Sequence, residues 1–146
     1  MAYATQDDIV TLYSEDALFV ADRDDDGVAD AVAIDRALDY ASGEIDSYLA
    51  ARYTLPLPTA LPLLSQFCVD IALYRLALAR DVLTEEHRRR YEDTLKHLKD
   101  IARGVAALNL PAPIDPETGA AEETGPNAVL ITGPERVFTR DRMRGL

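Results

Sequence analysis

The chain has 146 residues and a mass of 16.1 kDa, with 48% hydrophobic residues, 28% charged residues, one cysteine and a formal net charge of −11. That length suits one domain, since single cores occupy roughly 100 to 200 residues, and the apolar share excludes wholesale disorder. The lone cysteine, Cys68, excludes a disulfide framework within the chain, and its place in an apolar run reads as a buried free thiol.

The first predicted element follows Thr5, where Asp8 three residues on resembles a capping box and Ile9, Leu12 and Tyr13 supply a short apolar face. Ser14, with Glu15 and Asp16 behind it, starts a second short helix carrying Leu18, Phe19 and Val20. An acidic loop from Asp22 to Gly27 comes next. Beyond it, Ile34, Leu38, Ala41, Ile45, Tyr48 and Leu49 recur at spacings of three and four, which predicts a long helix from about Asp30 to Tyr53. The segment TLPLPTALP, with Pro56, Pro58 and Pro62, reads as a rigid connector, because proline removes amide donors and biases its predecessor to extended backbone.

From about Pro62 to Arg80 the chain is apolar on nearly every side, the pattern of a central helix surrounded by others. Its one acid, Asp70, belongs either at the edge of the buried face or, as the favoured reading, in a pair with an arginine from another element. Thr84 then caps a helix with Glu85 and Glu86 in its first turn. His87, Tyr91, Leu95, Leu98 and Ile101 or Ala102 form its apolar stripe, and Gly104 stops it. The expected fold is therefore all-α: a bundle of four to five helices over residues 1–108, followed by an extended C-terminal arm and partner-binding tail over 109–146. The arm is rich in Pro, Gly, Ala, Glu and Thr without helical periodicity, and is expected to be mobile until a partner orders it.

Charge divides the chain. Residues 1–35 hold ten acids against one base, Arg23, which argues against phosphate-backbone binding by that half, since such affinity comes from lysine and arginine. The last residues reverse the sign: Arg136, Arg140, Arg142 and Arg144 outnumber Glu135 and Asp141. Phe138 and Met143 lie among them, and an unbound tail would leave both in water, so these six residues (Arg136, Phe138, Arg140, Arg142, Met143, Arg144) read as partner-binding anchors.

The one motif with recognisable chemistry is Asp22-x-Asp24-x-Asp26-Gly27. Calcium loops place oxygen ligands at alternate positions and a glycine sixth for the sharp turn, and Asp30 falls ninth. The twelfth position, where a bidentate carboxylate closes the shell, is Ala33. The competing reading is an Asp-rich turn presenting carboxylates to the start of the next helix. No cofactor is expected, calcium is the one candidate, and any calcium affinity should be weak and inessential to the fold.

His87 and His97 lie ten residues apart on one helix, about 15 Å along its axis, too far to share a metal. No GxSxG, HExxH, glycine-rich phosphate loop or cysteine pair occurs, and Ser14, Ser42, Ser47 and Ser65 have no histidine close in sequence. The chain reads as no enzyme. Its N-terminus, MAYATQDDIV, lacks the basic start and apolar stretch of a signal peptide, and no uninterrupted apolar run approaches the ~20 residues of a membrane span. A cytoplasmic protein with no membrane partner is expected.

Taken in order, the blocks MAYATQDDI, DRDDDGVAD, EIDSYLAARYTLPLP, DIALYRLALAR, RYEDTLKHLKDIARG and VFTRDRMRGL resemble the family of Mu-like phage and prophage neck proteins over nearly the whole chain. That family is similar in kind to the helical head-completion adaptors of long-tailed phages, by analogy of fold and gene role. The resemblance implies a head-to-tail adaptor in the virion neck, made in the host cytoplasm and assembled as a homo-oligomeric, twelvefold ring. Its implied partners are the portal protein above and the next neck protein, a stopper or tail terminator, below. Genomic DNA would pass through without specific binding, which an acidic lining favours. The alternative is a calcium-dependent protein-binding module built on the Asp22–Asp30 loop.

Overall fold

A computed structural model describes residues 2–110, which form a helical body. Its elements are α1 (Gln6–Tyr13), a 3-10 helix (Glu15–Ala21), α2 (Ala31–Leu49), α3 (Pro62–Ala79) and α4 (Glu85–Arg103), with no strand among the described residues. The all-α expectation holds. The arm and tail lie outside the described residues, apart from Asn109 and Leu110.

Helix α3 is the centre. Ten of its side chains, from Leu64 to Ala77, are buried, and it packs most extensively on α2 and then on α4. Pro62 opens it at the first turn, where a missing amide costs nothing. It is also long and apolar enough by composition to cross a membrane, yet its all-round apolarity is what burial among other helices demands. Helix α2 contributes Ile34, Leu38, Ala41, Ile45 and Leu49 to the same core, the stripe expected from the spacing, with Ala37 and Ser42 completing it. Helix α4 is a one-faced helix that buries Thr94, Leu98 and Ile101 and keeps Arg88, Arg89, Glu92 and Lys96 exposed.

The ends follow local rules. Asp8 accepts from the backbone amide of Thr5 at 2.7 Å and from its hydroxyl at 2.8 Å, tying off the start of α1. Thr84 Oγ1 accepts the amide of His87 at 3.2 Å. Gly104 ends α4 in the left-handed region (φ 81°), and Val105 donates back to the Asp100 carbonyl at 2.9 Å. One boundary and one helix type differ from the sequence reading. Helix α2 ends at Leu49 and not near Tyr53, because Arg52 and Tyr53 fold into a turn on the Leu49 carbonyl that frees the Tyr53 hydroxyl to accept the Leu108 amide at 2.8 Å. The second element is a 3-10 helix that buries Leu18, Val20 and Ala21 and leaves Phe19 half-exposed.

The N-terminal segment before α1 is part of the core. Tyr3 and Ala4 are buried, and Tyr3 donates its amide to Ser42 Oγ at 3.1 Å while its carbonyl accepts from Ser65 Oγ at 2.7 Å. The Tyr3 hydroxyl donates to Asp46 at 2.5 Å, and burial pushes its pKa well up. One tyrosine thus laces α2 to α3.

Candidate functional site

The acidic loop is built between the end of the 3-10 helix and the start of α2. The amide of Asp30 donates to the Ala21 carbonyl at 3.2 Å and closes the loop at its base. Inside it, Asp22 Oδ2 accepts the Gly27 amide at 3.1 Å and Asp26 Oδ1 accepts the Val28 amide at 2.7 Å. Gly27 stands at φ 82°, a region L-residues avoid, which accounts for glycine at that turn. Asp25, also left-handed at φ 58°, points its carboxylate at Arg80, the cap of α3, and the same guanidinium donates to the Phe19 carbonyl. Arg80 therefore pins the loop to the bundle from outside.

Of the four sequence-predicted ligands, the fold brings three together. One carboxylate oxygen from each of Asp22, Asp24 and Asp26 lies within 4.8 Å of the others. Asp30 is not in this cluster; it sits at the N-cap of α2 and accepts the Arg23 amide at 3.4 Å. It makes no side-chain cap bond to α2, while Asp22 and Asp26 accept amides within the loop, the bonding of an Asp-rich turn. Asp24 and Asp26 are exposed, whereas Asp22 is only 8% exposed, next to the fully buried Ala21. Its Oδ1 is buried without a hydrogen-bond partner, the one such side-chain atom among the described residues. An unpaired buried polar atom of this kind costs about 1 to 3 kcal/mol.

A second polar constellation lies between the helices. Asp70, buried in α3, accepts the Tyr13 hydroxyl at 2.5 Å. Burial raises the Asp70 pKa, the Tyr13 bond and the nearby Arg90 charge pull it back, and burial together with the carboxylate pushes Tyr13 up to about 12. The expected arginine partner of Asp70 is thus replaced by a tyrosine; Arg90 stands over the Tyr13 ring at 4.4 Å and is paired with Glu86. Glu44 of α2 forms another junction, bridging Arg75 of α3 at 2.6 Å and the Tyr91 hydroxyl of α4 at 3.1 Å, with Tyr74 and Tyr91 stacked at 4.1 Å. These groups join α1, α2, α3 and α4 and rigidify the body. His97 packs on Phe67, and His87 sits over the α4 cap with its pKa lowered by burial. Cys68 is fully buried beside Ser42 Oγ at 3.5 Å, and burial pushes its thiol pKa up.

Arg136, Phe138, Arg140, Arg142, Met143 and Arg144, the tail anchors, lie outside the described residues. Sequence reasoning missed the Tyr3–Asp46, Tyr13–Asp70 and Glu44–Tyr91 pairs. Their only signal was the presence of tyrosines on otherwise apolar faces, where a buried hydroxyl requires a partner.

Comparison with known proteins decides the family. The model of the family described as "Bacteriophage Mu, Gp36" matches residues 3–125, from the buried Tyr3 through the whole helical body and into the arm. The chain belongs to the bacteriophage Mu gp36 family. Two relatives agree. The "Mu-like prophage FluMu protein gp36" of Haemophilus influenzae is 36% identical over 116 residues, covering 80% of this chain and 77% of the relative. "Gene product J" of Escherichia phage Mu is 32% identical over 142 residues, covering 96% of each chain. The matched stretch of this gp36-family chain takes in the helical body, with the Asp22–Gly27 loop and the Tyr13–Asp70 pair both inside it.

Proposed function

We propose that this gp36-family protein is a structural head-to-tail adaptor of a Mu-like phage, acting by assembly and not by catalysis. It would stand in the virion neck as a homo-oligomeric ring beneath the portal, with the next neck protein below it, after assembly in the host cytoplasm. The observation that carries this reading is the family match across the helical body. The charge of that body supports it. A conduit for DNA works best when its wall repels phosphate, and the exposed carboxylates of Asp24, Asp25 and Asp26 crowd one loop of a chain with net charge −11. Leu12, Phe19, Val28, Val32, Tyr40, Leu63, Leu78 and Val105 are exposed on the body, supplying apolar area for contacts with neighbouring copies.

The tail is the proposed portal anchor, with Phe138 and Met143 as apolar contacts and Arg136, Arg140, Arg142 and Arg144 as charged ones. Repetition around a ring lets modest single contacts add up. Deleting residues 134–146 should leave the melting transition of the body nearly unchanged while abolishing attachment to portal-bearing heads. Normal attachment by the truncated chain would move the docking surface to the helices.

A further inference from the structure

We propose that Asp22, Asp24 and Asp26 form a cation site, one per chain, that takes a hard divalent ion of the calcium class. Two independent observations meet there. The three carboxylates converge with ligand oxygens within 4.8 Å of one another. The carboxylate that anchors the cluster, Asp22, is more than nine-tenths buried and keeps its Oδ1 without any hydrogen-bond partner. A buried carboxylate oxygen with no donor, beside two exposed carboxylates, is an arrangement that a cation relieves by supplying the missing partner.

The chemistry of the donor set selects the ion. All three ligands are carboxylate oxygens, which suits calcium or magnesium over the softer transition metals. The irregular geometry of a loop that leaves several positions to water favours calcium, since magnesium demands a near-ideal octahedron. The twelfth loop position is Ala33, at the first turn of α2, so the bidentate ligand of a tight site is missing. Affinity should fall in the weak range, on the order of 10⁻⁴ to 10⁻³ M. Because Asp25 of the same loop is paired with Arg80 at the end of α3, a bound ion would fasten the junction of the 3-10 helix and α2 to the bundle. A bound ion would offset part of the negative charge that Asp24 and Asp26 offer a DNA conduit, while the adaptor role rests on the family match and survives without the ion.

Calcium chloride titrated into the full chain, followed by calorimetry and by thermal melting, tests the proposal. One saturable site per chain is expected, with a rise in melting temperature of roughly 5 to 10 °C at ten times the dissociation constant. The double variant Asp24→Asn/Asp26→Asn, altered only at exposed positions, should melt cooperatively and lose the binding. Asp35→Asn, which removes an exposed acid outside the cluster, should keep it. Ala33→Glu, restoring the twelfth ligand, should tighten binding at least about tenfold. No saturable heat and no melting shift up to about 10 mM calcium would overturn the proposal. So would binding that survives in the double variant, or equal binding of magnesium, or an Ala33→Glu chain no tighter than the wild type.

Discussion

Replacing Tyr13 by Phe removes a single oxygen from the interior and leaves Asp70 as its casualty. The ring keeps its place against the core and under Arg90, so the change reads the hydrogen bond and not the packing. Asp70 is 6% exposed, and water has little room to replace the lost donor. A hydrogen bond to a charged group contributes about 1.5 to 3 kcal/mol, so the variant should lose about 2 kcal/mol at neutral pH and roughly 10 °C in melting temperature. The cost should depend on pH with a definite sign. Burial holds the folded-state pKa of Asp70 above its ordinary 3.8. The stability linked to this group is therefore fully present below 3.8 and is lost as pH rises through the folded value. The Tyr13 hydroxyl limits that loss by favouring the ionised form, so its removal should cost most at neutral pH and progressively less as pH falls toward 3.8. Urea titrations followed by far-ultraviolet circular dichroism at several pH values measure both effects. In an Asp70→Asn background the same Tyr13→Phe change should cost about 1 kcal/mol, the value of a neutral hydrogen bond. A loss under about 0.5 kcal/mol at neutral pH, within the range of an ordinary surface change, or a cost independent of pH, would refute this account of the pair.

Other perturbations probe the rest of the body. Gly104→Ala should destabilise by about 1 kcal/mol in urea titrations, because a side chain is strained at φ 81°. A neutral result would mean that the end of α4 frays at no cost. Cys68, with no exposed surface and its pKa raised by burial, should resist thiol reagents in the native protein and react in step with unfolding as urea is added; fast stoichiometric labelling without denaturant would contradict the packing of α3 on α2.

Much of the fold is written locally. The stripe from Ile34 to Leu49, the all-round apolarity of α3 and the single face of α4 each follow from spacing, and Thr5, Thr84 and Gly104 mark ends by side-chain and backbone chemistry that acts within one turn. What escaped depends on distance along the chain. Tyr13 meets Asp70 across 57 residues, and Tyr3 meets Asp46 across 43, so only the packed bundle decides that the acid in α3 finds a phenol and not a guanidinium. The candidate site divides the same way. The alternation of Asp22, Asp24 and Asp26 before Gly27 is plain in the sequence. The burial of Asp22 against the 3-10 helix, and the departure of Asp30 to the cap of α2, are products of tertiary folding.

The place of the chain in the virion is the central claim, and labelled electron microscopy of purified particles measures it most directly. With this chain carrying a visible tag, images of the neck should show a ring of label between portal and tail, closed around the DNA path. Label on the capsid shell or the distal tail, or particles that lack the chain altogether, would contradict the adaptor role.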